Sequence, residues 1–182
     1  MNRAVTELDL LAERVGASGR TLRRAAARGL IRCERPSPKR VDVSVRERRY
    51  VERHWPLLHD LAAALRTEPN ARLAVLFGSA ARGESHESSD LDLLVHLERA
   101  RGLAAARLAL RLTERVGRDV QIVALRDAES SPLLLEDVLR DGRVLIDRDG
   151  LWPKLRRRES EIESRARRQQ SELEEAAWDP LE

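Results

Sequence analysis

The sequence predicts an α/β (α+β) fold preceded by a small helix-turn-helix module. Three observations carry this. Apolar strand-length runs alternate with helix-period segments between residues 72 and 147. Two short helical patterns near the start of the chain flank the turn Gly16-Ala17-Ser18-Gly19. Charge is also divided unevenly: residues 1–50 carry 13 basic and 6 acidic groups, whereas residues 51–150 carry 14 and 17. A basic start beside an acidic remainder points to a polyanion contact at one end. The richness in arginine over lysine, 32 to 2, runs along the whole chain and does not explain that asymmetry.

Composition excludes several classes. With 42% hydrophobic and 36% charged residues in 182, the chain can bury a core under a heavily charged surface, so a wholly disordered protein is excluded. The longest apolar runs, such as Leu73–Phe77, are far short of the ~20 residues a membrane helix needs. No basic-then-apolar leader opens the sequence, and a cytoplasmic location is expected. The single cysteine, Cys33, cannot form an internal disulfide, and four histidines without paired spacing predict no zinc site.

In chain order, residues 7–15 place Leu8, Leu11, Ala12 and Val15 at helical spacing. A second helix is expected from about Arg20, capped by Ser18 or Thr21 and ending near Gly29. On it, Leu22, Ala25 and Ala26 pack inward, while Arg20, Arg23, Arg24 and Arg28 are candidates to face DNA phosphates. Leu30–Glu34 and Val41–Val45 read as a hairpin whose turn, Arg35-Pro36-Ser37-Pro38, forms a basic wing. Ser44 with Glu47 resembles a capping box opening a helix to about Arg66, which Pro56 should bend or interrupt. Strands are then expected at 72–77, 90–97, 119–125 and 143–147, with helices at 79–83, 101–116 and 132–140 between them. Residues 153–176 form a charged helix candidate with few apolar anchors, expected to pack loosely or to be partly disordered. The domain reading is therefore 1–50 helix-turn-helix, 51–69 connector, 70–150 α/β domain and 151–182 charged helix or tail.

The chemistry concentrates between two of these strands. Gly78 follows an apolar strand, where a residue without a side chain lets backbone approach a ligand, and Ser79 opens a helix, where free N–H groups favour phosphate. Asp90 and Asp92 lie two apart on the next strand, so both carboxylates share one face while Leu91 and Leu93 anchor the other. Two neighbouring carboxylates repel one another unless a hard cation lies between them, which favours Mg²⁺ or Mn²⁺. Asp119, at the start of the following strand, can bring a third carboxylate.

Gly78-Ser79, ten residues, then Asp90-x-Asp92 resembles the signature of the DNA polymerase β-like nucleotidyltransferase superfamily. With Arg82-Gly83 and Ser89-Asp90-Leu91-Asp92-Leu93, it looks most like the minimal nucleotidyltransferases. The resemblance covers residues 72–147 and implies a small mixed sheet with helices on one side and a two-metal site. In such a site Asp90, Asp92 and Asp119 would be both catalytic residues and metal ligands, Asp119 taking the acceptor's proton. Gly78 and Ser79 would bind the β- and γ-phosphates of ATP, and Arg82 is a further candidate phosphate clamp. Minimal nucleotidyltransferases often act as antitoxins that transfer AMP to a toxin-like partner protein, so such a partner is implied, with DNA binding suited to autoregulation.

Each residue also has an ordinary reading. Asp90 and Asp92 could be an exposed strand face, Asp119 an ion pair with Arg118, and Arg82 one more surface arginine. His86, Glu84 and Glu87 read as solvated loop groups, Trp55, Trp152 and Trp178 as packing, and Cys33 as a small buried apolar residue. Two further functions compete: a non-catalytic DNA-binding regulator that senses nucleotide or docks a partner, and transfer to RNA ends or a small molecule.

Overall fold

The computed structural model describes residues 6–37, 40–86, 89–100 and 102–177. The Pro38 end of the expected wing, Glu87 and Trp178 lie outside the described residues.

Helix α1 (Glu7–Arg14) starts with a reciprocal cap. The Thr6 hydroxyl accepts from the Asp9 N–H, and the Asp9 carboxylate accepts from the Thr6 N–H. Helix α2 (Gly19–Arg28) is capped by Ser18 and ends in a left-handed Gly29, as its sequence predicts. Strands β1 (Glu34–Ser37) and β2 (Arg40–Asp42) form an antiparallel pair shifted from the expected hairpin. Residues 35–37, expected in the turn, belong to the strand, because Leu30 and Ile31 are drawn into the core instead of the ladder.

Helix α3 (Val45–Arg66) accepts its Ser44 cap and runs unbroken through Pro56. The expected interruption does not occur. Pro56 is exposed, and seven other side chains along α3, from Tyr50 to Leu65, are buried and hold the helix against the core.

The sheet contains β3 (Ala71–Phe77), β4 (Leu91–Leu97), β5 (Val120–Ala124) and β6 (Arg143–Asp147) in the order β5-β4-β3-β6. Only the β4–β5 pair is parallel. The connections are α4 (Gly78–Arg82), α5 (Ala104–Val116), α6 (Leu125–Ala128) and α7 (Pro132–Asp141). Alternation divides the sheet's side chains between two cores. Leu91, Leu93 and Val95 join α1, α2, α3 and α5 on one face, while Phe77, Leu94 and Val144 join α7 and the C-terminal helices on the other. Helices thus cover both faces, not one as the resemblance implies, since each face carries its own buried apolar set.

The charged C-terminal segment is two helices, α8 (Leu151–Arg157) and α9 (Glu159–Ala177). Its first half is not loosely packed: Leu155, Ile162 and Ala166 are buried, and α9 lies along α7. A few anchors suffice: Leu155 holds α8, and Ile162 and Ala166, four apart, share one face of α9. The N-terminal segment is equally tied in. The Gly29 carbonyl accepts from Val144 N–H at 3.2 Å, satisfying the outer edge of β6. Arg143, also of β6, is fully buried and donates to both carboxylate oxygens of Glu47 (2.6 and 3.0 Å) and to the carbonyls of Ala81 and Leu30. One guanidinium therefore joins α3, α4 and the segment after α2.

Candidate active site

The site is assembled where β3 ends. Phe77 pairs with Asp92 across the antiparallel ladder, so the chain leaving β3 turns directly over the Asp92 side chain. Gly78 makes that turn at φ +71°, a left-handed conformation that strains any residue with a β-carbon. Space gives a second reason for glycine: a β-carbon at 78 would stand 2.8 Å from Asp92 Oδ2. Ser79 follows, half-buried in the first turn of α4.

Asp90 immediately precedes β4 and Asp92 lies on it, both half-buried. Leu91 and Leu93 are fully buried on the opposite face, which fixes the direction of the two carboxylates. Burial, and then the charge of Asp90, hold the Asp92 carboxyl above its ordinary range. This pair is a charge-repelling arrangement that a divalent cation would relieve, and one or two carboxylates completed by substrate phosphates are what Mg²⁺ accepts. The donor set therefore fits the metal that the resemblance implies.

Asp119 is placed differently. It precedes β5, is exposed, and contributes its carbonyl to the ladder by accepting from Leu91 N–H at 2.8 Å. Among the described residues no three His, Cys, Asp or Glu side chains are grouped to hold one ion, so Asp119 is not gathered with the pair. The position facing them is filled by Gln121. It is the register partner of Asp92, and its Nε2 donates to Asp90 Oδ2 at 2.5 Å. Gln121 was not singled out from the sequence, although Val120 and Ile122 pack into the core and alternation then turns Gln121 to the carboxylate face. Arg118, read as a partner of Asp119, instead donates to the Ser89 carbonyl and steadies the loop that delivers Asp90.

Arg82 stands at the far end of α4 from Gly78. Its guanidinium binds Glu84 and Asp141, each at 2.7 Å, and these bonds hold it above its ordinary pKa. The four arginines of α2 also separate. Arg20 and Arg24 are exposed, Arg23 pairs with Asp9, and Arg28 donates to the Val144 carbonyl at 3.2 Å. Cys33 is half-buried and Trp55 is a core residue.

A mixed sheet bearing a Gly-Ser turn over paired aspartates defines a nucleotidyltransferase. Residues 59–150 match the family described as "Polymerase beta, Nucleotidyltransferase", and the chain belongs to that family. Residues 1–58 and 151–182 lie outside the match. No curated protein matches the sequence. Among solved structures, a "toxin-antitoxin with AMP-PNP" is similar at 24% identity and a TM-score of 0.56, over 66% of this chain and 97% of the other. The Shewanella oneidensis complex of a "tri-AMPylated" HEPN toxin with its MNT antitoxin is similar at 21% identity and a TM-score of 0.53, over 68% and 98%. The toxin-antitoxin MntA-HepT is similar at 21% and 0.52, over 68% and 97%. At such identities the likeness is one of fold. Among the described residues no helix is long and apolar enough to cross a membrane.

Proposed function

We propose that this nucleotidyltransferase is metal-dependent and moves AMP from ATP to a hydroxyl of a partner protein of the toxin kind. The observation that carries the reading is the Asp90–Asp92 pair under the Gly78 turn, where a β-carbon would stand 2.8 Å from Asp92 Oδ2. The similar structures support its direction: one is described with an ATP analogue and another with an AMPylated toxin.

In this reading Asp90 and Asp92 hold the divalent cation, and Gly78 and Ser79 receive the triphosphate at the start of α4. The cation, when bound, neutralises charge on the phosphates and on the attacking and leaving oxygens. The acceptor oxygen forms a bond to the α-phosphorus as the bond from that phosphorus to the β-bridging oxygen breaks, and pyrophosphate departs. Gln121 fixes Asp90 by donating to its Oδ2, leaving the other oxygen free to ligate. Asp119, exposed one residue ahead of β5, is assigned the acceptor's proton through solvent, a lesser role than that of the pair. The chain's task is positioning and charge placement.

Incubation with α-labelled ATP, Mg²⁺ and the product of a neighbouring gene should label that protein, and Asp92→Asn should abolish the label. Label appearing on RNA 3′ ends would reassign the acceptor, and undiminished labelling by Asp92→Asn would refute the site. DNA contact through α2 is a second reading, favoured by the outward-facing Arg20 and Arg24 alone. An operator mobility shift lost in Arg20→Gln/Arg24→Gln would support it.

A further inference from the structure

At the Arg82 end of α4 lies a cavity of about 640 Å³, within the size of small-ligand sites, whose described lining includes none of Gly78, Ser79, Asp90 and Asp92. It is walled by the first half of α3, the end of α4, the end of α7 and the start of β6. Among the described residues, seven arginines line it against three carboxylates. Most of this wall, including all of its α3 part, lies outside residues 59–150, the part matched by the family.

The internal pairing consumes the carboxylates. Glu47 is taken by Arg143, and Asp141 and Glu84 are taken by Arg82, with Arg140 also on Asp141. Arg46, Arg49 and Arg53 are exposed and have no hydrogen-bond or ion-pair partner among the described residues. Their spacing of three and four places all three on one stripe of α3, about 10 Å from first to last. The floor is fixed: the Arg143 guanidinium stacks 3.4 Å from the Tyr50 ring centroid, and the Tyr50 hydroxyl donates to the Ala80 carbonyl at 3.0 Å. Arg32 is brought in beside Arg143, and burial followed by that like charge lowers its pKa. His54, on the same wall, is held below its ordinary value first by burial and then by Arg53 and Arg143, so it is neutral near pH 7. Cations held together, some with no anion, create a potential that a polyanion would satisfy.

We propose that this cavity is a second anion site, separate from the aspartate pair, that binds a phosphate chain of the polyphosphate or nucleotide class. Guanidinium forks match phosphate oxygens, and the concave shape suits a compact chain of phosphates better than a nucleic-acid backbone crossing a flat face.

The test uses the full chain without divalent ions, titrated calorimetrically with sodium tripolyphosphate. One site is expected, weakened at least tenfold by Arg49→Gln/Arg53→Gln and unchanged by Asp92→Asn or by Arg20→Gln/Arg24→Gln. ATP binding more tightly than tripolyphosphate assigns a nucleotide; equal affinities assign the phosphate chain alone; both support the site. Affinity unmoved by the α3 variant, equally weakened by the α2 variant, or lost in Asp92→Asn overturns it. So does binding of a single-stranded oligonucleotide with none of tripolyphosphate.

Discussion

Replacing Gly78 by alanine separates two effects that the structure places on one residue. The first is backbone strain: a non-glycine residue at φ +71° costs about 1–2 kcal/mol. For a chain of this size that lowers the melting temperature by roughly 2–8 °C. The second is contact, because the new methyl would lie 2.8 Å from Asp92 Oδ2 and the carboxylate must swing aside. A displacement on the order of 1 Å at a reacting centre can lower a rate about a hundredfold. Gly150 supplies the control. It has φ +63° and nothing within 4 Å of the β-carbon position, at the opposite end of β6 from the site. Gly150→Ala should therefore lose comparable stability and keep its activity. Thermal unfolding and AMP transfer from labelled ATP, measured on both variants below their melting temperatures, give the comparison. Gly78→Ala as active as Gly150→Ala would refute the claim that this turn is built around Asp92.

Other substitutions probe other parts of the structure. Arg143→Met strands Glu47 as a buried, unpaired charge and should cost about 3–5 kcal/mol in urea unfolding, whereas a loss below 1 kcal/mol would show that the pair is not what joins the N-terminal segment to the sheet. Asp92→Asn removes a charge disfavoured by burial and by Asp90, so the ligand-free variant should melt higher than the native protein at pH 7; a lower melting temperature contradicts the repulsion argument. Asp9 is held down to about 2 by its bonds to Thr6 and Arg23, so its contribution is present above about pH 4 and is lost as the pH falls toward 2. Asp9→Asn should lower stability at pH 6 and flatten that acid limb, which a pH series of melting curves reads directly. Ile162→Ala should cost about 2–4 kcal/mol if α9 is docked through its buried stripe, and a neutral result would release the helix from the core.

The chain's periodicities disclose most of its elements, because helix caps and alternating apolar residues are local signals. Ser18, Gly29 and Ser44 mark helix ends correctly for this reason. The failures come from tertiary contacts. Pro56 reads as a break, yet α3 continues because its buried face outweighs one missing hydrogen bond on the solvent side. The residues after β6 look too polar to dock, but Leu155 on α8 and Ile162 and Ala166, four apart on α9, are buried. At the site, the spacing from Gly78 to Asp92 is legible because turn and strand are adjacent in sequence. The neighbour across β5 is not: register, set by the packing of Val120 and Ile122, puts Gln121 opposite Asp92 and leaves Asp119 exposed at the strand's end. Likewise, no local pattern shows that Arg23 and Arg28 are already engaged, since Arg28's partner is 116 residues away.

Mn²⁺ binding followed by electron paramagnetic resonance, in the presence of a non-hydrolysable ATP analogue, reports directly on whether the paired aspartates serve as ligands. Native protein should take up the ion together with the nucleotide, and Asp90→Asn and Asp92→Asn should each lose that uptake while remaining folded. Equal Mn²⁺ binding by all three proteins would contradict the assignment of this turn and strand as the centre of transfer.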